Sequence, residues 1–125
     1  LGNAETDEPE TKVVEQAYDP SKYGMEHTLE VITISTTDMN SRVKNVLVEP
    51  TFVTNGSGIV EIDLRLGLIK SIIGRELKKF PYEIILQQGI NDSLRTNVKN
   101  EVNLILPQDG DKLLIQDVFL EIITM

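Results

Sequence analysis

The stretch Ile59-Val60-Glu61-Ile62-Asp63-Leu64-Arg65-Leu66-Gly67-Leu68-Ile69-Lys70-Ser71-Ile72-Ile73-Gly74-Arg75-Glu76-Leu77-Lys78-Lys79-Phe80 decides the fold. Its beginning fits two templates. Val60, Ile62, Leu64, Leu66 and Leu68 alternate with Glu61, Asp63, Arg65 and Gly67, which is the period of a half-buried strand. Ile59, Ile62, Leu66, Ile69, Ile73, Leu77 and Phe80 recur every three or four residues, which is the stripe of an amphipathic helix. Alternation fails across Ile72–Lys79 while the stripe runs on, so the reading is a helix starting near Ile59. Gly67 and Gly74 weaken that helix. Lys70, Arg75, Lys78 and Lys79 gather towards its C-terminal end, where the helix dipole favours cations. Phe80-Pro81 ends it, because a residue before proline avoids the α region.

Upstream, two strands are expected. Leu29–Thr36 is rich in β-branched residues, with Leu29, Val31 and Thr33 on one face and Glu30, Ile32 and Ile34 on the other. Thr37-Asp38-Met39-Asn40-Ser41 is turn chemistry. Arg42–Thr54 is the second strand, and Pro50 within it requires an edge position or a bulge. Asn55-Gly56-Ser57-Gly58 stops it. Downstream, Tyr82–Gln88 reads as a short helix punctuated by Gly89. Asn91–Leu106 reads as a second main helix, capped by Asn91 or Asp92 and buried along Leu94, Val98, Val102 and Ile105. Pro107-Gln108-Asp109-Gly110-Asp111 is a turn, and Leu113–Thr124 is a final strand. The order β–β–α–(α)–α–β segregates strands from helices. It predicts an α+β fold, a small and mainly antiparallel sheet with two main helices packed on one face.

Length and composition agree with one domain. The chain has 125 residues, 40% of them hydrophobic, and only 5% are aromatic, so Ile, Leu and Val must build the core. Formal net charge is −8, which disfavours phosphate backbones and anionic lipid surfaces as general partners. Residues 1–22 hold six acids and two bases and lack periodicity, so they read as a flexible acidic linker; residues 23–125 form the domain. There is no cysteine, which removes disulfides, thiol catalysis and thiolate metal sites. No run of about 18 apolar residues is present. The chain opens at Leu1 with no signal peptide, and the expectation is a membrane anchor upstream.

Chemistry-bearing patterns are sparse. His27 is the sole histidine and reads as a surface residue rather than a zinc ligand. Asp109-Gly110-Asp111 has two acids of a calcium loop, but Lys112, Leu113 and Leu114 follow where further ligands are needed, so a turn is the reading. Gly67 and Gly74 have no Gly-Lys-Ser/Thr beside them and read as close-packing positions, not a phosphate loop. Glu61/Asp63 and Asp109/Asp111 lack a nucleophile–base arrangement, so the chain is read as no enzyme, with no cofactor. The most distinctive surface feature is the cluster Lys70, Arg75, Lys78 and Lys79. It fits an acidic partner or a phosphate, and equally the solvated end of an amphipathic helix.

From Glu61 to the C-terminus the chain resembles the flagellar basal-body-associated FliL family. Arg65 and the step Ile69-Lys70 sit where that family's first helix has its Arg and its Ile-basic pair; Gly67 replaces a proline of the pattern and Ser71 an aspartate. Gly89, Leu94, Arg95, Val98, Val102, Asn103 and Leu106 fall at the spacing of its second helix. Val118-Phe119-Leu120-Glu121-Ile122-Ile123 keeps Phe119 and Glu121 of its closing strand, with Val118 and Ile122 in place of flanking aromatics. The resemblance implies a single-pass inner-membrane protein with this domain in the periplasm, similar in fold to the stomatin/prohibitin type. It implies ring-type homo-oligomers and association with the basal body and the stator units, in support of torque or stator engagement. No catalytic centre is implied. The expected contact row is Arg65, Lys70, Arg75 and Lys78, meeting an acidic face of the next subunit or of the stator linker. The alternatives are a ligand- or peptide-binding module unrelated to motility, which requires a sizeable pocket, and a small hydrolase, which requires clustered polar groups in a cleft.

Overall fold

A computed structural model of the chain describes residues 24–88, 92–108, 110 and 112–123. In chain order the elements are β1 (Met25–Thr28), β2 (Ile32–Thr37), β3 (Val43–Thr54), α1 (Gly56–Asp63), α2 (Leu66–Leu77), α3 (Tyr82–Gln88), α4 (Asp92–Ile105) and β4 (Asp117–Ile123). The fold is α+β, as expected, with a four-stranded antiparallel sheet built around β3. One edge of β3 pairs with β4, from Leu47↔Ile123 to Val53↔Asp117. Its other edge pairs with β1 and then β2, laid end to end. The readings of residues 1–22 as a linker, of Asn91 as a cap and of Gly89, Asp109 and Asp111 as turn residues lie outside the described residues.

The first expected strand, Leu29–Thr36, is corrected by this pairing. β1 ends at Thr28↔Thr51 and β2 begins at Ile32↔Val48, so residues 29–31 lie opposite residues 49 and 50. That is a bulge of one extra residue. Its cause is Pro50, which accepts a bond from Leu29 N–H at 2.9 Å but has no N–H to return. Proline therefore sits in a central strand, and the irregularity falls on the strand opposite. The bulge also reverses the alternation: Leu29 is buried, then Ile32 and Ile34 are buried, while Val31 is exposed. The expected pairing of Leu29 and Val31 on one face fails for this reason.

Along the inner face, Ile34 opposes Val46, Ile32 and Ile122 flank Val48, Leu120 opposes Pro50 and Val118 opposes Phe52. The helices cover this face with Ile62, Ile69, Ile73, Leu77, Leu94, Val98 and Val102, all in the same core. Fully burying each such side chain contributes about 1.5–3 kcal/mol. The opposite face carries Thr33, Ser35, Asn45, Phe119 and Glu121 in exposed positions.

The long expected helix Ile59–Phe80 is two helices. In an unbroken helix, Arg65 N–H would bond the carbonyl of Glu61. Instead it bonds Ile62 O at 2.9 Å, and the Arg65 guanidinium takes the Glu61 carbonyl at 3.2 Å and the Glu61 carboxylate as well. The side chain replaces the backbone donor, so the Glu61 carbonyl keeps a partner at the break. The apolar stripe continues across it, with Ile62 and Ile69 both fully buried.

Candidate functional site

The structure separates the four residues expected at a contact surface. Lys70 and Arg75 on α2 and Lys78 at its C-cap face a shared groove of about 650 Å³. Arg65 is elsewhere: it belongs to the break between α1 and α2, paired with Glu61 and a third exposed. The groove's second wall is β2. Ile32, Thr33, Ile34 and Ser35 line it, opposite Lys70, Ser71, Gly74, Arg75 and Lys78.

Several local features hold the two walls together. Ile32, Ile34, Ile69, Ile73 and Leu77 share the core beneath. Thr36 Oγ1 donates to the carbonyl of Phe80 at 3.0 Å, which fastens the end of β2 to the end of α2. Just beyond, Met39 N–H bonds the Glu83 carboxylate at 3.0 and 3.1 Å, which ties the turn after β2 to α3. Gly74 sits on the helix wall, and a Cβ there would meet nothing within 4 Å. The missing side chain leaves the groove wider at its middle.

The charges on the helix wall differ in their engagement. Arg75 Nη2 bonds Glu101 of α4 at 2.9 Å, with both side chains largely exposed. Such a pair contributes about 0–1 kcal/mol, so Arg75 can exchange Glu101 for another carboxylate at little cost. Lys70 and Lys78 are exposed and form no ion pair among the described residues. Lys79, which the sequence grouped with them, is committed elsewhere. Its ammonium lies 3.0 Å from both oxygens of Glu76, a carboxylate that is only 4% exposed.

No family model and no curated protein matches the chain. The functional reading therefore rests on the groove and on the sequence resemblance.

Other residues with chemical potential are built into the structure. His27 is partly covered rather than a free surface residue. It lies on the helix-facing side of β1, and its Nε2 is 2.8 Å from Asp63 Oδ1 at the end of α1. Among the described residues no three His, Asp or Glu side chains converge as a metal site needs. No helix among them is long and apolar enough to cross a membrane. Arg95, noted in the sequence only for its spacing in the second helix, covers the far edge of the sheet. Its Nε donates to Val118 O at 2.8 Å and its guanidinium reaches Asp92 and Asp117 at 3.0 Å, 4.7 Å from the Phe119 ring centre. The strand wall of the groove was also missed as a site. Its signal was present in Ile32-Thr33-Ile34-Ser35-Thr36-Thr37, a strand with neither a charge nor a proline.

Proposed function

We propose that this chain is a non-catalytic assembly domain of the FliL type, which associates with the flagellar basal body and its stator units. On this reading it faces the periplasm from an inner-membrane anchor, forms ring-type homo-oligomers and supports stator engagement and torque. The observation that carries the proposal is the groove in which Lys70, Arg75 and Lys78 converge on a protein whose net charge is −8. A cationic site on an otherwise acidic molecule selects an acidic partner surface, and a neighbouring copy presents one. The order of the sequence motifs supports the family.

Light scattering of the purified chain across concentration, with and without the periplasmic linker of the stator, tests this. The expected result is an oligomer that grows with concentration or with the linker and is lost in Lys70→Glu/Lys78→Glu. Assembly and stator binding unchanged in that variant would overturn the role of the groove. The same open groove favours, second, a peptide-binding module unrelated to motility; acidic peptides that bind while the stator linker does not would select it.

A further inference from the structure

We infer that the groove takes an extended, acidic segment of a partner protein as an added β-strand on the outer edge of β2. This rests on the reading of the basic groove as a partner site and specifies its mode of recognition.

Ile32 and Ile34 point into the core, whereas Thr33 and Ser35 point to the open face, yet all four line one groove. Successive residues of a strand share a surface only along the backbone edge, since their side chains leave on opposite sides. The groove therefore follows the peptide groups of β2.

Among the described residues that edge is unpartnered. β2 pairs with β3 alone, and among the described residues no side chain bonds its backbone. The opposite edge of the sheet differs, because Arg95 takes the Val118 carbonyl of β4. Exposed edges are ordinarily guarded by charge, proline or a bulge. β2 has five β-branched residues and a serine, and the bulge lies before it, so six residues are left regular and unguarded. An open edge beside a helix is the setting in which extended peptides add as strands, with main-chain bonds for affinity and flanking side chains for selection.

Charge selects the occupant. A strand laid along β2 runs beside Lys70, Arg75 and Lys78, which favours Asp and Glu in the incoming segment. Pairing of β2 with β2 of a second copy would instead bring two such basic rows together.

Fluorescence anisotropy with the full chain tests this, using a labelled peptide of about eight residues that alternates Glu and Val, long enough to span the six-residue strand. Three controls accompany it: the Lys-for-Glu peptide, the acidic peptide N-methylated at every residue so that neither edge can donate, and the variant Gly74→Leu. The expected result is saturable binding of the acidic peptide, weakened about tenfold or more by each control. Thermal unfolding of Gly74→Leu should match or exceed the parent, since a Cβ there meets nothing within 4 Å and leucine is the better helix former. Equal binding of the N-methylated peptide overturns strand addition while leaving an electrostatic partner site intact. Equal binding by Gly74→Leu places the peptide elsewhere and overturns it too. Self-association of the chain that Gly74→Leu abolishes and Lys70→Glu/Lys78→Glu does not would assign the edge to β2 of a second copy instead. Loss of acidic-peptide binding in Lys70→Glu/Lys78→Glu, without sensitivity to N-methylation, would sink the strand and spare the proposed function.

Discussion

Asn103 shows how one amide can hold a loop. It is only 8% exposed, and its side chain bonds both backbone groups of Ile115: Nδ2 donates to the carbonyl and Oδ1 accepts from the N–H, each at 3.0 Å. Ile115 precedes β4 and has no strand partner there, yet it is 1% exposed. Its peptide groups need partners inside the protein, and a buried unsatisfied group costs about 1–3 kcal/mol. Leucine is close to asparagine in size and suits the apolar surroundings, but it satisfies neither group. Asn103→Leu should therefore lose about 2–4 kcal/mol, since two groups are orphaned at once. Urea unfolding followed by circular dichroism would show this as a lower midpoint with an unchanged slope. A midpoint within error of the parent would mean that water reaches Ile115 and that the amide is dispensable.

At the scale of elements, two helical glycines should respond oppositely to the same change. Gly58 lies in the first turn of α1, where a Cβ would fall 1.7 Å from Thr54 Oγ1. Thr54 cannot yield easily, because it is fully buried and donates to Leu114 O at 2.8 Å. The N–H of Gly58 is also the donor to the capping Asn55 side chain at 2.8 Å. Gly58→Ala should thus cost about 3 kcal/mol through overpacking. Gly74, inside α2 with open space around it, should gain about 0.5–1 kcal/mol on change to alanine. Parallel thermal melts would decide both. The sequence could not foresee the contrast: Gly58 reads there as part of a strand stop and Gly74 as a weak point in an apolar stripe, and the contact that separates them is with a strand residue brought close only by folding. The same limit applies to the elements. Apolar periodicity gave the α+β class, the helical stripe from Ile62 to Leu77 and the buried face of α4. It missed the break at Arg65, because the stripe stays in phase across it and a guanidinium does what a backbone N–H would have done. It registered Pro50 as an irregularity without showing that the opposite strand would absorb it. Half of the groove was legible as a cluster of cations. The β2 half was not, because being an edge is a property of pairing order.

For the whole molecule, the decisive contrast is between a local cationic groove and a net charge of −8. An acidic partner senses charge out to about one screening length, roughly 30 Å at 0.01 M salt, 10 Å at 0.1 M and 3 Å at 1 M. At the lowest salt it senses the entire acidic body and is repelled. Near 0.1 M the distant carboxylates are screened, and Lys70, Arg75 and Lys78 dominate at close range. At 1 M even that attraction fades. Association rate should therefore pass through a maximum at about 0.1 M, whereas a uniformly basic binder slows at every increase. Stopped-flow anisotropy with an acidic peptide across this range would reveal the maximum. In Lys70→Glu/Lys78→Glu two acids outweigh the remaining Arg75, so the groove repels an acidic partner, salt should only relieve repulsion and the rate should rise throughout. A parent whose rate falls steadily from the lowest salt would show that the groove's field is not opposed by the rest of the molecule, and that its cations are not the isolated site described above.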